Sequence, residues 1–170
     1  MDISINQIDP LTQPEIVAQI AKVYQTAFAG PPWYETWVIE TIASDFTNEM
    51  NRPGAICVVA QIENDVVGFA WGYTVSSDDP NLDNHLDAHG THVTLSGDYF
   101  YLDECALAPD HQGKGVGKHL VRAIFAAQQH KEVLLRTKDG SRMCNLIKQM
   151  GGEIIQNISE ERVIMRVTIS

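Results

Sequence analysis

Glu104-Cys105-Ala106-Leu107-Ala108-Pro109-Asp110-His111-Gln112-Gly113-Lys114-Gly115-Val116-Gly117-Lys118 is the stretch on which the reading of this chain turns. Its first part closes an apolar and aromatic run, Tyr99 to Ala108, that reads as a strand stopped by Pro109-Asp110. Its last part opens a helix, Val116 to Gln129, in which Val116, Leu120, Val121, Ile124 and Phe125 share one face. Between strand and helix fall Gly113, Gly115 and Gly117. Glycines let the backbone wrap closely round a ligand and leave successive N–H groups pointing outward where a helix begins, an arrangement that favours a phosphate or pyrophosphate. Lys114, Lys118 and Arg122 surround the turn, and no acid occurs from His111 to Lys131.

Working outward, Ile3, Ile5 and Ile8 alternate with polar residues as in a short strand. From Glu15 to Phe28, Ile16, Val17, Ile20, Val23, Tyr24 and Ala27 form the stripe of an amphipathic helix, ended by Gly30-Pro31-Pro32. A second helix is expected from about Glu35 to Glu49. Phe28, Trp33, Tyr34 and Trp37 cluster around the double proline, either stapling one helix to the next or forming the wall of a ligand pocket. Ile56–Ile62 and Val66–Val75, separated by Glu63-Asn64-Asp65, read as an antiparallel hairpin, with Gly68 and Gly72 marking bends or close packing. Residues 77–98 are a long polar insertion. His85, His89 and His92 with Asp87 recur in it, but nothing fixes them on a helix, and no metal is expected. Val133-Leu134-Leu135 as a short strand, Arg142 to Met150 as a helix, and strands near 153–157 and 162–169 complete a single α/β domain over residues 1–170.

The 170 residues, 44% of them apolar, suffice for one core. No apolar run is long enough for a membrane span, and Met1 to Pro10 lacks the basic start and apolar stretch of a signal peptide, so a cytoplasmic protein is expected. Cys57, Cys105 and Cys144 are odd in number, and Cys57 and Cys105 sit in core-like runs, which excludes a disulfide scaffold. A net charge of −10 argues against nucleic acid as a partner. Residues 1–112 carry Lys22 and Arg52 as their only lysine and arginine, whereas the other ten of the twelve follow Gln112, so the two ends of the chain attract opposite ions.

Two familiar phosphate designs fit the turn badly. A Walker loop needs GxxxxGK[ST], and here His119 follows Lys118; the dinucleotide fingerprint needs GxGxxG in a βαβ unit, and here the spacing is GxGxG after an antiparallel meander. The pattern present is Q-x-x-G-x-G, at Gln112, Gly115 and Gly117. With Glu104 to Gly117 it resembles the E-L-x-V-x-P-x-x-[RQ]-G-x-G-x-G signature of the GNAT superfamily of acyl-CoA-dependent N-acetyltransferases, and the order of expected elements is similar over nearly the whole chain. The resemblance implies a mixed, mostly antiparallel sheet of about seven strands flanked by about four helices, splayed at the CoA site. Backbone groups of Gln112, Gly113, Lys114, Gly115, Val116, Gly117 and Lys118 would hold the pyrophosphate of acetyl-CoA, and the backbone of Cys105, Ala106 and Leu107 would pair with the pantetheine arm.

Acetylating an amine needs a base for its proton, donors for the developing oxyanion and protonation of the departing thiolate. By the resemblance, Leu107 N–H is the oxyanion donor and Glu104, the signature glutamate, the first candidate base. Asp103, adjacent and on the opposite face of the strand, is the second, and burial of either would raise its carboxyl toward a useful range. A purely structural pairing of these acids is the competing reading. The family's frequent general-acid tyrosine lies four residues before a glycine in Y-x-x-x-G-F; here Ile147 precedes Gly151, and Gly152 replaces the aromatic. Tyr99 and Tyr101 are the available substitutes, Tyr101 being also a natural core aromatic. Cys105 lacks a neighbouring histidine in the strand and is expected to be packed rather than nucleophilic. The acceptor side would be Phe28, Trp33, Tyr34 and Trp37 with Asp78, Asp79, Asp83 and Asp87. Aromatics with acids suit a cationic small-molecule or peptide amine, while a homodimer packed on the aromatics is the other use of that cluster. An inactive acyl-CoA-binding sensor is the alternative function, suggested by the missing tyrosine.

Overall fold

The alternations and helical stripes become elements in the expected order. A computed structural model describes residues 2–79 and 95–170. They form β1 (Ile3–Ile8), α1 (Pro14–Ala29), α2 (Ile39–Met50), β2 (Ile56–Ile62), β3 (Asp65–Ser76), β4 (Asp98–Leu107), a 3-10 turn (Pro109–His111), α3 (Val116–Ala127), β5 (Glu132–Lys138), α4 (Arg142–Gln149), β6 (Glu153–Asn157) and β7 (Arg162–Thr168). The seven strands take the order β1-β2-β3-β4-β5-β7-β6. β1–β2, β2–β3, β5–β7 and β6–β7 pair antiparallel, and β4–β5 parallel. This is the mixed, mostly antiparallel α/β sheet expected. The parallel register pairs Phe100, Tyr101 and Leu102 with Val133, Leu134 and Leu135, and β4 runs on to Leu107.

The chain divides into two compact units, one of Met1–Tyr73 with Glu104–Gln128, the other of Thr74–Asp103 with Gln129–Ser170. In the first, the stripes of α1 and α2 bury Ile20, Tyr24, Phe28, Ile42, Phe46 and Met50 with Val59, Phe69 and Trp71 of the hairpin. Trp71 stacks on Phe69 at 4.8 Å and tilts on Phe46 at 4.7 Å. Its buried indole N–H donates to Glu49 Oε2 at 2.6 Å, giving the ring a polar partner inside an apolar cluster. The apolar face of α3 is buried through Leu120, Val121, Ile124 and Phe125. In the second unit, β5 and β7 align from Glu132↔Thr168 to Lys138↔Arg162 around a core that includes Leu134, Ile147, Ile164 and Met165.

Two elements differ from expectation by more than a residue or two at an end. α2 begins at Ile39 rather than near Glu35 because the preceding backbone is held otherwise. Tyr34 has φ 53°, in the left-handed region, Glu35 N–H donates to Phe28 O, and Gln25 Nε2 donates to Trp37 O. The Gln25 bond takes up the Trp37 carbonyl, which a longer helix would have used as an acceptor. β5 spans Glu132–Lys138, beyond the apolar triplet that marked it, because the apolar run reveals only the buried middle of a strand whose ends carry Arg136 and Lys138. The histidines of the insertion, with Asp83 and Asp87, lie outside the described residues. Among the described residues no helix is long and apolar enough to cross a membrane.

Candidate functional site

The glycine turn is built by backbone geometry that side chains resist. Gly113 and Gly115 have φ of 76° and 84°, in the left-handed region, and a Cβ on either would meet nothing within 4 Å. Conformation, not crowding, therefore demands glycine at both, and the space beside them is open. Gly115 is the N-cap of α3, no side chain caps that helix, and its leading N–H groups face the turn. Lys114 and Lys118 are exposed beside it. Gln112 and Gly117 are half-buried and Val116 is buried, anchoring the helix start. Gln112 Nε2 donates to Leu107 O at 3.0 Å, so the signature glutamine ties the turn back to the end of β4. Open N–H groups, left-handed glycines and flanking lysines together fit a pyrophosphate.

The end of β4 presents two faces. Ala106 and Ala108 pack against the aromatic core under α1 and α2. Leu107 turns the other way, toward α3: a Cβ added to Gly68 would overlap Leu107 Cδ2 and lie 3.1 Å from Leu120 Cδ1, and one added to Gly117 would lie 3.6 Å from Leu107 Cδ1. Gly68 is thus a close-packing glycine rather than a bend. Ala108 N–H donates to Val67 O of β3 at 2.9 Å, so by strand alternation the Leu107 N–H points to the opposite edge, away from β3. Cys105 is half-buried; loss of solvent, and then the charge of neighbouring Glu104, push its thiol up to about 12. A thiol so protonated is a poor nucleophile.

Glu104 shares the α1 face with Ala106. Its Oε1 accepts a hydrogen bond from Tyr24 Oη at 3.0 Å, across 80 residues of sequence. Tyr24 sits amid the aromatics, 4.5 Å from Phe28 and edge-on to Trp37 at 5.5 Å, with Trp33 edge-on to Phe28 at 5.5 Å. Trp37 Nε1 donates to Glu35 Oε2 at 2.8 Å. Phe28 is buried, Trp33 and Trp37 half-buried, and Tyr34 is 74% exposed and outside this packing. Phe28, Trp33 and Trp37 therefore join Glu104 through Tyr24. Tyr24 went unnoticed in sequence because its apolar ring explains its place in the stripe; the available signal was a hydroxyl on a buried face, which needs a partner.

Tyr101 and Asp103 belong to the other unit. Tyr101 is buried at 1% exposure, as a core aromatic, and Asp103 is half-buried on the face of β4 opposite Glu104. In that unit Ile147 is fully buried, and a Cβ on Gly152 would overlap Ile147 Cγ2 and lie 2.8 Å from Val167 Cγ2. Ile147 and Gly152 are thus complementary: the branched side chain fills the room that a residue larger than glycine would need.

The model of the acetyltransferase (GNAT) family matches residues 18–151. Among solved structures, PH1933 from Pyrococcus horikoshii OT3 is similar with a TM-score of 0.73 at 17% identity, over 99% of each chain. The ribosomal-protein-S18-alanine N-acetyltransferase from Escherichia coli has a TM-score of 0.65 at 18% identity, over 99% of this chain and 95% of that one. YncA from Salmonella typhimurium, solved with its cofactor acetyl-CoA, has a TM-score of 0.67 at 12% identity, over 100% and 95%. A search of curated proteins finds no match.

Proposed function

The chain belongs to the acetyltransferase (GNAT) family, and from that premise we propose that residues 1–170 form one domain that moves the acetyl group of acetyl-CoA directly to a primary amine of a small molecule or peptide. Acetyl-CoA is the cosubstrate. The observation that carries the reading is the pair of left-handed glycines, Gly113 and Gly115, opening onto the uncapped start of α3. Backbone N–H groups from Gly113 to Gly117 bind the pyrophosphate there, Lys114 and Lys118 add charge, and the backbone of Cys105 to Leu107 aligns the pantetheine arm.

In the reaction the neutral amine attacks the thioester carbonyl, a C–N bond forms, and the C–S bond breaks. Leu107 N–H, directed away from β3, donates to the carbonyl oxygen as its charge grows. Glu104 takes the ammonium proton, directly or through water, and the thiolate leaves with a proton from solvent or from the amine. Phe28, Trp33 and Trp37 form the wall for the apolar part of a cationic acceptor, and the acidic N-terminal part of the chain draws it in. Tyr34 is an exposed contact at the rim.

Calorimetry with acetyl-CoA, followed by release of free CoA in an amine screen, tests the reading. Acetyl-CoA should bind, Gly115→Glu should abolish binding, and Lys118→Ala should weaken it modestly and in a salt-dependent way. Cationic amines should be the best acceptors. No binding at millimolar acetyl-CoA overturns the site, and binding without turnover of any amine leaves an acyl-CoA sensor.

A further inference from the structure

We propose that Tyr24 is the positioning residue for Glu104, its hydroxyl holding the carboxylate in the orientation from which it takes the acceptor's proton. The inference deepens the acyl-transfer reading and rests on it, since it assumes that Glu104 is the base.

A tyrosine in a helix stripe needs only its ring to pack. Here the ring is fixed independently of the hydroxyl: Phe69 and Trp71 lie nearly parallel to it at 6.1 and 6.0 Å, Phe28 is tilted at 4.5 Å, and Trp37 is edge-on at 5.5 Å. Tyr24 is 7% exposed. The Oη atom is therefore placed by packing, and it ends 3.0 Å from Glu104 Oε1. A glutamate side chain is long and mobile, whereas this donor is held on several sides, so the bond orders the carboxylate rather than the ring. The contact joins Glu104, which shares the Ala106 face of β4 with the aromatic wall, to a residue within that wall. In the reaction the ammonium N–H bond breaks, its electron pair stays on nitrogen, and an O–H bond forms on Glu104; Tyr24 keeps its own proton throughout.

A donor to the charged carboxylate favours ionisation, so removing the hydroxyl moves the carboxyl's titration upward. Of the titratable groups on the packed elements, Glu15 and Lys22 of α1, Glu40 and Asp45 of α2, Asp65 of β3 and Asp98 of β4 are exposed; the less exposed ones are Glu49, held by Trp71 Nε1, Cys57 of β2, Tyr73 of β3, and Tyr99, Tyr101, Asp103 and Cys105 of β4, with Glu35 of the α1–α2 connection held by Trp37 Nε1. Tyr24→Phe leaves all of these in place.

The test compares wild type, Tyr24→Phe and Glu104→Gln. In Tyr24→Phe the Glu104 carboxyl, followed by carbon NMR, should titrate at a higher pH than in wild type, since a donor to its charged form has been removed. The acid limb of kcat/KM should shift with it, and plateau kcat should fall while acetyl-CoA affinity stays at the wild-type value. Glu104→Gln should remove that limb, and adding Tyr24→Phe to it should change turnover no further. A carboxyl that titrates at the wild-type pH in Tyr24→Phe, or a lowered melting temperature with an unmoved acid limb, overturns the proposal and leaves the hydroxyl a packing detail. The NMR measurement needs no turnover, so this failure is distinct from wild type failing to bind acetyl-CoA, which overturns the acyl-transfer reading and the proposal with it.

Discussion

Gly68→Ala probes the joint between the hairpin and the end of β4. The new Cβ would overlap Leu107 Cδ2 and lie 3.1 Å from both Leu120 Cδ1 and Ala106 O. Leu120 is fully buried on α3, and Ala106 O is backbone, so of the three only the half-buried Leu107 side chain can yield. Overpacking of this kind costs about 1–3 kcal/mol, and replacing a strand glycine returns roughly 0.5–1 kcal/mol. A net loss of about 1–2 kcal/mol lowers the melting temperature of a chain this size by roughly 2–8 °C. Because Leu107 is also the proposed oxyanion donor, its displacement should weaken acetyl-CoA binding in calorimetry. Leu107→Ala removes the atom that clashes, so Gly68→Ala/Leu107→Ala should be more stable than the summed singles by about 1 kcal/mol or more, read by urea denaturation. Additivity within about 0.5 kcal/mol would refute the packing argument.

Restoring the family's tyrosine should fail: Ile147→Tyr overfills a fully buried position and strands a hydroxyl, costing roughly 2–5 kcal/mol from the two effects together, with no gain in kcat. A stable Ile147→Tyr with raised turnover would show that the site has room for the missing acid. Glu49→Leu leaves the buried Trp71 N–H without its carboxylate and should cost about 1–3 kcal/mol in urea denaturation, with Glu49→Gln keeping most of the stability; equal losses in the two variants would mean that the hydrogen bond contributes little. Burial raises the Cys105 thiol from 9.0 to about 12, so between those values the unfolded chain has lost a proton that the folded one keeps, and stability falls as pH rises through the window while staying level below it. Cys105→Ala should therefore lose less stability than wild type between pH 7.5 and pH 10; an identical loss would remove Cys105 from that dependence.

The sheet and helices were legible because their signals are local. The stripe of α3, the alternation of β1 and the Asn64-centred hairpin each lie within a dozen or so residues, and the glycine turn is recognised by spacing alone. Boundaries were misjudged where side chains competed for backbone groups, as Gln25 does at Trp37 O before α2. Gly68 announced only that something came close; that the neighbour was Leu107, 39 positions on, required the fold.

The same distinction separates what the sequence could and could not say about proton transfer. Ile147 in place of a tyrosine reads, in sequence, as a missing acid and a reason to doubt catalysis. In the fold it is half of a packing pair with Gly152, so volume alone accounts for its identity. Conversely Tyr24 reads in sequence as volume, one more ring on an apolar stripe, and in the fold it is the residue whose hydroxyl meets the signature glutamate. A stripe specifies which face is buried, but not where the polar end of a buried side chain stops. That end point depends on the angle between α1 and β4, which the contacts of the whole aromatic cluster determine. Polar atoms at the ends of buried aromatics are thus where a catalytic arrangement can be altered without disturbing the pattern that specifies the fold. Exchange of Tyr24 for phenylalanine, which keeps the ring and removes only the oxygen, is the substitution that separates the two.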